Sequence, residues 1–234
     1  MWEFVDKAFY INLDHRKDRR DTMTKFFKEG GFPDEKVERI PAVCTPYNGM
    51  IGCAKSHISA LETAKRYNYK AVLIAEDDLE WIDFETTYPK LEELVSSTDW
   101  DVCMLTGYYL DITIPKVNAG IYTNCYIVRN HYYDKLIQNM KEGLALKEDT
   151  LRKEKYNWMK PVLHPLYKHI YNVDVYWIKL QMKDKWIAVV PMICQQVECY
   201  SDINKKVIRP PCGISISVEN PIYKFIVDYF KTNG

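Results

Sequence analysis

The sequence has no apolar run approaching the 18 or more residues of a membrane-spanning helix, and its opening Met1-Trp2-Glu3-Phe4 carries a charge by the third position. Neither a membrane segment nor a secretory leader is expected, and the chain reads as soluble and cytoplasmic. There is no surplus of either charge: 32 basic and 32 acidic side chains give a net charge of +0. That balance argues against nucleic acid or anionic lipid held by bulk positive charge. The seven cysteines are odd in number and show neither C-x-x-C pairs nor histidines at zinc spacing, so they read as free thiols in a reducing compartment. Internal repeats, low-complexity stretches and Gly/Ser linkers are also missing. What is present is 47% apolar residues, enough to bury a core and to exclude intrinsic disorder. A chain of 234 residues is expected to form a single domain over 1–234, without a disulfide or metal staple.

Short apolar runs alternate with amphipathic stretches, the rhythm of an α/β sheet. Strands are predicted at Ala8–Leu13, Val37–Val43, Ala71–Ala75, Asp101–Leu105, Ile121–Val128 and near Trp186–Val190. Helices are predicted at Asp18–Glu29, from Gly52 to Tyr67, from His131 to Met140, at Val175–Met182 and at Ile222–Phe230. Residues 141–170 are basic, Pro-interrupted and weakly patterned, and read as a surface excursion or acceptor-side lobe. A donor half would then occupy about residues 1–130, and an acceptor half with the C-terminal tail about 131–234. Chemistry is expected at the carboxyl edge of the sheet, where doubly wound folds place ligands.

The apolar strand Ala71–Ala75 runs directly into Glu76-Asp77-Asp78, the start of six carboxylates by Glu85 with no basic residue among them. Adjacent acids at a buried strand end repel unless a cation is shared between them. A hard divalent ion, Mg²⁺ or Mn²⁺, answers that need with oxygen ligands, and strand alternation sends Glu76 and Asp78 to the same side. A solvated acidic turn is the simpler reading of such a run, but its place on a buried strand favours a metal. After the first strand, Asn12-Leu13-Asp14-His15-Arg16-Lys17-Asp18-Arg19-Arg20 sets four permanent cations beside the positive end of a helix, an arrangement that calls for an anion. Gly52-Cys53-Ala54-Lys55-Ser56-His57 opens the next helix, where amides and side-chain donors meet a phosphate or nucleoside.

Taken in this order and spacing, Tyr10–Arg19, Gly52–His57 and Leu73–Asp78 resemble glycosyltransferase family 25, which includes lipopolysaccharide and procollagen galactosyltransferases and has relatives in large DNA viruses. Thr123–Val128, Val173-Asp174 and Ser201-Asp202-Ile203 extend the resemblance over residues 8–203. His15, Lys17 and Cys125 depart from the family's usual residues. The resemblance implies a GT-A-like α/β fold and an inverting, metal-dependent transfer of galactose or glucose from a UDP-sugar to a glycan or protein hydroxyl. It also implies Mn²⁺ or Mg²⁺ at Asp78 and Glu76, with Asp77 on metal or ribose. Asn12, Arg16 and Arg19 would lie along the nucleotide, with Ser56 and His57 nearby. Asp174, placed before the Val175–Met182 helix, would be the general base or simply that helix's N-cap. Tyr126, Tyr176 and Trp177 suit an acceptor platform or, more simply, core packing. A nucleotide-sugar hydrolase and a non-catalytic sugar-nucleotide-binding domain are the competing readings, and the sequence leaves oligomeric state open.

Overall fold

The structure is a computed structural model that describes residues 1–156, 167–202, 206–208, 213–214 and 221–233. In chain order its elements are β1 Lys7–Asn12, α1 Lys17–Glu29, β2 Val37–Pro41, α2 Gly49–Arg66, β3 Ala71–Glu76, β4 Leu79–Trp81, α3 Phe84–Ser97, β5 Val102–Met104, β6 Tyr108–Thr113, β7 Lys116–Ile121 and β8 Cys125–Arg129. There follow α4 Tyr133–Tyr156, α5 Tyr167–Ile170, α6 Val173–Tyr176, α7 Ile178–Gln181, β9 Trp186–Ala188, β10 Cys194–Gln196, β11 Cys199–Ser201, β12 Lys206–Ile208, β13 Gly213–Ile214 and α8 Pro221–Asn233. Nine strands form one sheet in the order β13-β6-β7-β9-β5-β8-β3-β1-β2. The pairings make β7 and β8 run against the other seven, so the sheet is α/β and mostly parallel in strand direction, as expected.

Strand β3 is apolar from Ala71 to Ala75 because it is covered on both faces. Its alternate residues divide between two cores. Val72 and Ile74 pack with Ile58, Leu61 and Ala64 of α2 and with Val128. Leu73 and Ala75 pack with Met23, Phe26 and Phe27 of α1 and with Leu91 and Val95 of α3. Phe26 also stacks on Trp81, with centroids 4.0 Å apart and planes within 7°, which ties α1 to β4 just beyond the acidic turn. No helix among the described residues is long and apolar enough to cross a membrane.

Three expectations need correction. The helix from His131 does not end at Met140: it begins at Tyr133 and continues to Tyr156, so half of the expected excursion is regular structure. Gly143 and Lys147 occupy its buried stripe, and these residues conceal a 3.6-residue period. The expected strand Ile121–Val128 is two: Ile121 closes β7, Tyr122–Asn124 cross over, and Cys125 opens β8. The expected helix Val175–Met182 is two short turns, α6 and α7, with Trp177 between them. Helix α3 and the β6–β7 hairpin have no counterpart among the expected elements, although Tyr88, Leu91 and Val95 of α3 stand at helical spacing just past the acidic run. Residues 157–166 of the expected excursion and Ile203 lie outside the described residues.

Candidate functional site

The carboxyl ends of β1, β2 and β3 open on a cavity of about 780 Å³, walled also by the Ala42–Asn48 loop and the first turns of α2. Arg19, Ser56, His57, Glu76, Asp77 and Asp78 line it, so six of the nine residues expected from sequence converge there. Asn12, Arg16 and Asp174 are not among its lining residues.

The basic segment is largely an internal ion network. Arg19 Nη1 lies 2.5 Å from Asp77 Oδ1 and 3.1 Å from Asp78 Oδ2, so one guanidinium bridges both aspartates. Asn12, 1% exposed, donates through Nδ2 to Asp77 Oδ2 (2.7 Å) and accepts from Arg20 Nε (2.9 Å). Arg16 grips Asp18 with two nitrogens, at 3.0 and 2.8 Å, and reaches Asp202 Oδ2 at 2.6 Å. The anions that these cations require beside the α1 N-terminus are therefore supplied by the protein. Asn12 and Arg16, expected along a nucleotide, are held by these protein partners and stand outside the cavity lining.

Asp78 sits just past β3, where Gln196 Nε2 donates to its Oδ2 (2.8 Å) and Val197 N–H to its carbonyl (2.8 Å). These two bonds join the acidic turn to the antiparallel β4–β10 ribbon. Burial, and then the neighbouring Glu76 charge, push the Asp78 carboxyl up to about 6. The rest of the acidic run disperses: Glu80 accepts from Gln195 on the ribbon, and Asp83 precedes α3.

Glu76, in phase with Val72 and Ile74 and opposite in alternation to Asp77, points to the α2 side of the sheet. Thr123 Oγ1 donates to its Oε1 (2.6 Å), and His57 Nε2 stands 3.6 Å from the same oxygen. Burial alone would raise the Glu76 carboxyl, but His57 and Thr123 outweigh it and hold the group below its ordinary value. His57 is fully buried, with Nδ1 against the Tyr126 hydroxyl at 3.1 Å. Asp174 lies within electrostatic reach of Glu76 and His57. Its Oδ2 accepts from Tyr122 N–H (3.3 Å), its buried Oδ1 has no hydrogen-bond partner, and burial lifts its carboxyl to about 6. Asp174 is not an N-cap: Asn172 precedes α6, and Asp174 occupies its first turn.

Helix α2 begins three residues before Gly52, with Asn48 Oδ1 accepting from Met50 N–H (3.0 Å) and Ile51 N–H (3.4 Å). Gly52 serves packing, since a Cβ there would come within 2.3 Å of the Val43 carbonyl oxygen. Ser56 Oγ is occupied by Val43 N–H (2.8 Å) and the Gly52 carbonyl (2.7 Å), which pins loop to helix. Tyr126, Tyr176 and Trp177 are all core residues rather than an acceptor platform. Sequence reading missed Cys53, Thr123 and Gln196. For Cys53 the signal is in the sequence, because Cys53 and His57 are four apart and share one face of α2.

No family model matches the chain. Procollagen galactosyltransferase 1-B of Xenopus laevis is 24% identical over 140 residues, a match covering 47% of this chain and 23% of that protein. The chain thus spans about a quarter of the curated relative, whose name falls in the group that the three motifs resemble. Among solved structures, a STIV protein aligns with TM-score 0.47 and 13% identity over 92% of this chain and 100% of its own. A glycosyltransferase involved in glycosylation of the major capsid of PBCV-1 gives 0.46 and 8% over 96% and 98%. The Drosophila β-1,4-galactosyltransferase 7, solved as a mutant with manganese, UDP-Gal and xylobiose, gives 0.42 and 10% over 88% and 76%.

Proposed function

We propose that this chain is an inverting, metal-dependent hexosyltransferase of the GT-A kind, moving galactose or glucose from a UDP-sugar to a hydroxyl of a glycan or protein. The observation that carries the reading is the convergence of Glu76, Asp77 and Asp78 on a cavity large enough for a nucleotide sugar, at the strand ends where α/β sheets hold ligands. The motif resemblance and the Xenopus galactosyltransferase support the same class.

The donor set suits a hard divalent cation. Asp78 and Glu76 offer carboxylate oxygens, and of the two causes that lift Asp78, burial first and the Glu76 charge second, a bound cation would relieve the second. Asp78 and Glu76 would hold Mn²⁺ or Mg²⁺, whose bound charge stabilises the diphosphate as it leaves. Arg19, already bridging Asp77 and Asp78, fixes the acidic turn and keeps its charge at the cavity wall. Asp174 would take the acceptor proton at the unpartnered Oδ1 while Tyr122 N–H holds Oδ2 in place; because it does not line the donor cavity, the acceptor hydroxyl has to reach it from outside that cavity. A base lifted toward neutrality by burial is better matched to that task than an ordinary aspartate. His57 keeps Glu76 ionised. In this reading the single domain spans 1–234, with donor recognition in its first half.

The test is UDP release from UDP-galactose and UDP-glucose with Mn²⁺, with and without a hydroxyl acceptor. Asp78→Asn is expected to reduce transfer at least ~10²-fold, the scale of losing one preorganised electrostatic contact. Full metal-dependent activity in that variant, or no binding of either donor by the wild type, overturns the proposal.

A further inference from the structure

On the α2 side of the cavity a second donor set assembles from softer atoms. Cys53 and His57, one turn apart, project from one helix face toward Glu76 at the end of β3. The Cys53 sulfur, one His57 ring nitrogen and one Glu76 oxygen all lie within 4.8 Å of one another. The His57 ring is 0% exposed, its Nδ1 is taken by the Tyr126 hydroxyl at 3.1 Å, and its Nε2 has no hydrogen-bond partner. A buried ring nitrogen without a hydrogen bond, 3.6 Å from a carboxylate, is placed to share a cation with that carboxylate in exchange for its proton. The supporting contacts are those that orient metal ligands: a hydroxyl on the far nitrogen of the imidazole, and Thr123 Oγ1 both on Glu76 Oε1 (2.6 Å) and 3.8 Å from Cys53 Sγ. Cys53, His57 and Glu76 all border the cavity, which leaves a fourth position open to it.

We propose that Cys53, His57 and Glu76 form a binding site for a borderline-soft divalent cation of the zinc type. Sulfur, imidazole nitrogen and a single carboxylate are the ligands that zinc takes with three protein groups and one open position, whereas Mg²⁺ and Mn²⁺ favour oxygen. Binding is balanced by loss to solvent of the Cys53 thiol proton and of the Nε2 proton that His57 turns toward Glu76 in the metal-free chain; His57 then ligates neutral through Nε2, and Glu76 enters ionised. The site differs from the acidic turn in needing neither Asp77 nor Asp78. Because Glu76 is common to both, zinc here excludes the transfer metal, and that consequence alone rests on the transferase reading.

The experiment is titration of the whole chain, free of other metals, with Co²⁺ followed by displacement with Zn²⁺, read in the near-ultraviolet sulfur-to-cobalt charge-transfer band and by stoichiometry. One ion per chain and a thiolate band are expected, with both retained in Cys44→Ser, which alters the exposed cysteine on the cavity wall. Cys53→Ser should abolish the band and His57→Asn should weaken zinc binding more than 10-fold; Tyr126→Phe should weaken it about 10–100-fold. Asp78→Asn should leave zinc affinity within about 3-fold of wild type, given the usual spread of such effects. The melting curve of each variant shows whether it folds, and Cys53→Ala stands in if Cys53→Ser does not. A band surviving in a folded Cys53 variant, loss of the band in Cys44→Ser, or no band at all overturns the site. None of these readouts requires a sugar donor or turnover, so failure here leaves the transferase proposal standing, and failure of transfer leaves the zinc site standing.

Discussion

At the end of β3, Asp77 and Glu76 leave the strand on opposite faces of the sheet, and the two faces treat their carboxylates differently. On the α1 side Asp77 is bound by Arg19 and Asn12, and Arg19 extends to Asp78 and to the Tyr200 carbonyl (2.8 Å). On the α2 side Glu76 has Thr123 and a histidine at ion-pair distance, with His57 Nε2 and Asp174 Oδ1 nearby and lacking hydrogen-bond partners. Similar charge at one strand end is thus used as scaffold on one face and kept available on the other. Satisfied polar networks confer rigidity; unsatisfied ones mark where a ligand or a proton is handled.

The contrast can be broken most forcefully at its available side. Asp174→Asn should lower the transfer rate constant by about 10²–10⁴-fold while donor binding measured calorimetrically stays near wild type. Equal activity in the two proteins would remove Asp174 as base. On the scaffold side Arg19→Leu strands two buried carboxylates, and urea unfolding should show a loss of about 3–5 kcal/mol. If the loss is below 1 kcal/mol, the α1 network is not the scaffold described.

A sharper form uses pH. Burial holds the folded Asp174 carboxyl at about 6, above the 3.8 of an ordinary aspartate, so the folded state holds more protons than the unfolded state between those values. Stability contributed at this position therefore falls as pH rises through that window, and the burial penalty is fully present above 6. Asp174→Asn should consequently gain up to about 3 kcal/mol at pH 7.5 and lose that gain near pH 4, read from melts at both pH values. A gain independent of pH would assign it to packing. The transfer rate should fall in the opposite sense, decreasing as pH drops through about 6 and the base protonates. The mildest perturbation is Asn48→Ala at the head of α2, expected to cost about 1 kcal/mol and to leave metal affinities unchanged.

Much of this arrangement is legible in the sequence because it is local. An apolar pentapeptide running into three acids indicates both a buried strand and the site at its end, and the spacing of Ala54, Ile58, Leu61 and Ala64 indicates α2 and its buried face. What stays hidden depends on partners remote in sequence. Arg16 and Arg19 look like anion binders until Asp202 and Asp77 are brought to them by the fold. Gln196 carries no signal of its own, although it holds Asp78. The true length of α4 is masked by Gly143, which admits Tyr176, and by a buried lysine. Cys53 and His57 were legible in principle, as a helical i, i+4 pair; the third ligand, on another element, was not.

The bonds that fix the acidic turn also set an order of assembly. Asp78 meets Gln196 across 118 residues, and Arg16 meets Asp202 across 186. Contacts closing such long loops form late, after the local helices and the β1–β3 pairing that cost less chain entropy. During synthesis the first half of the sheet can therefore collapse while its acidic edge still lacks the β10 ribbon. The cavity wall is completed only when the segment around residue 200 has emerged and docked, so competence of the site reports that nearly the whole chain has folded.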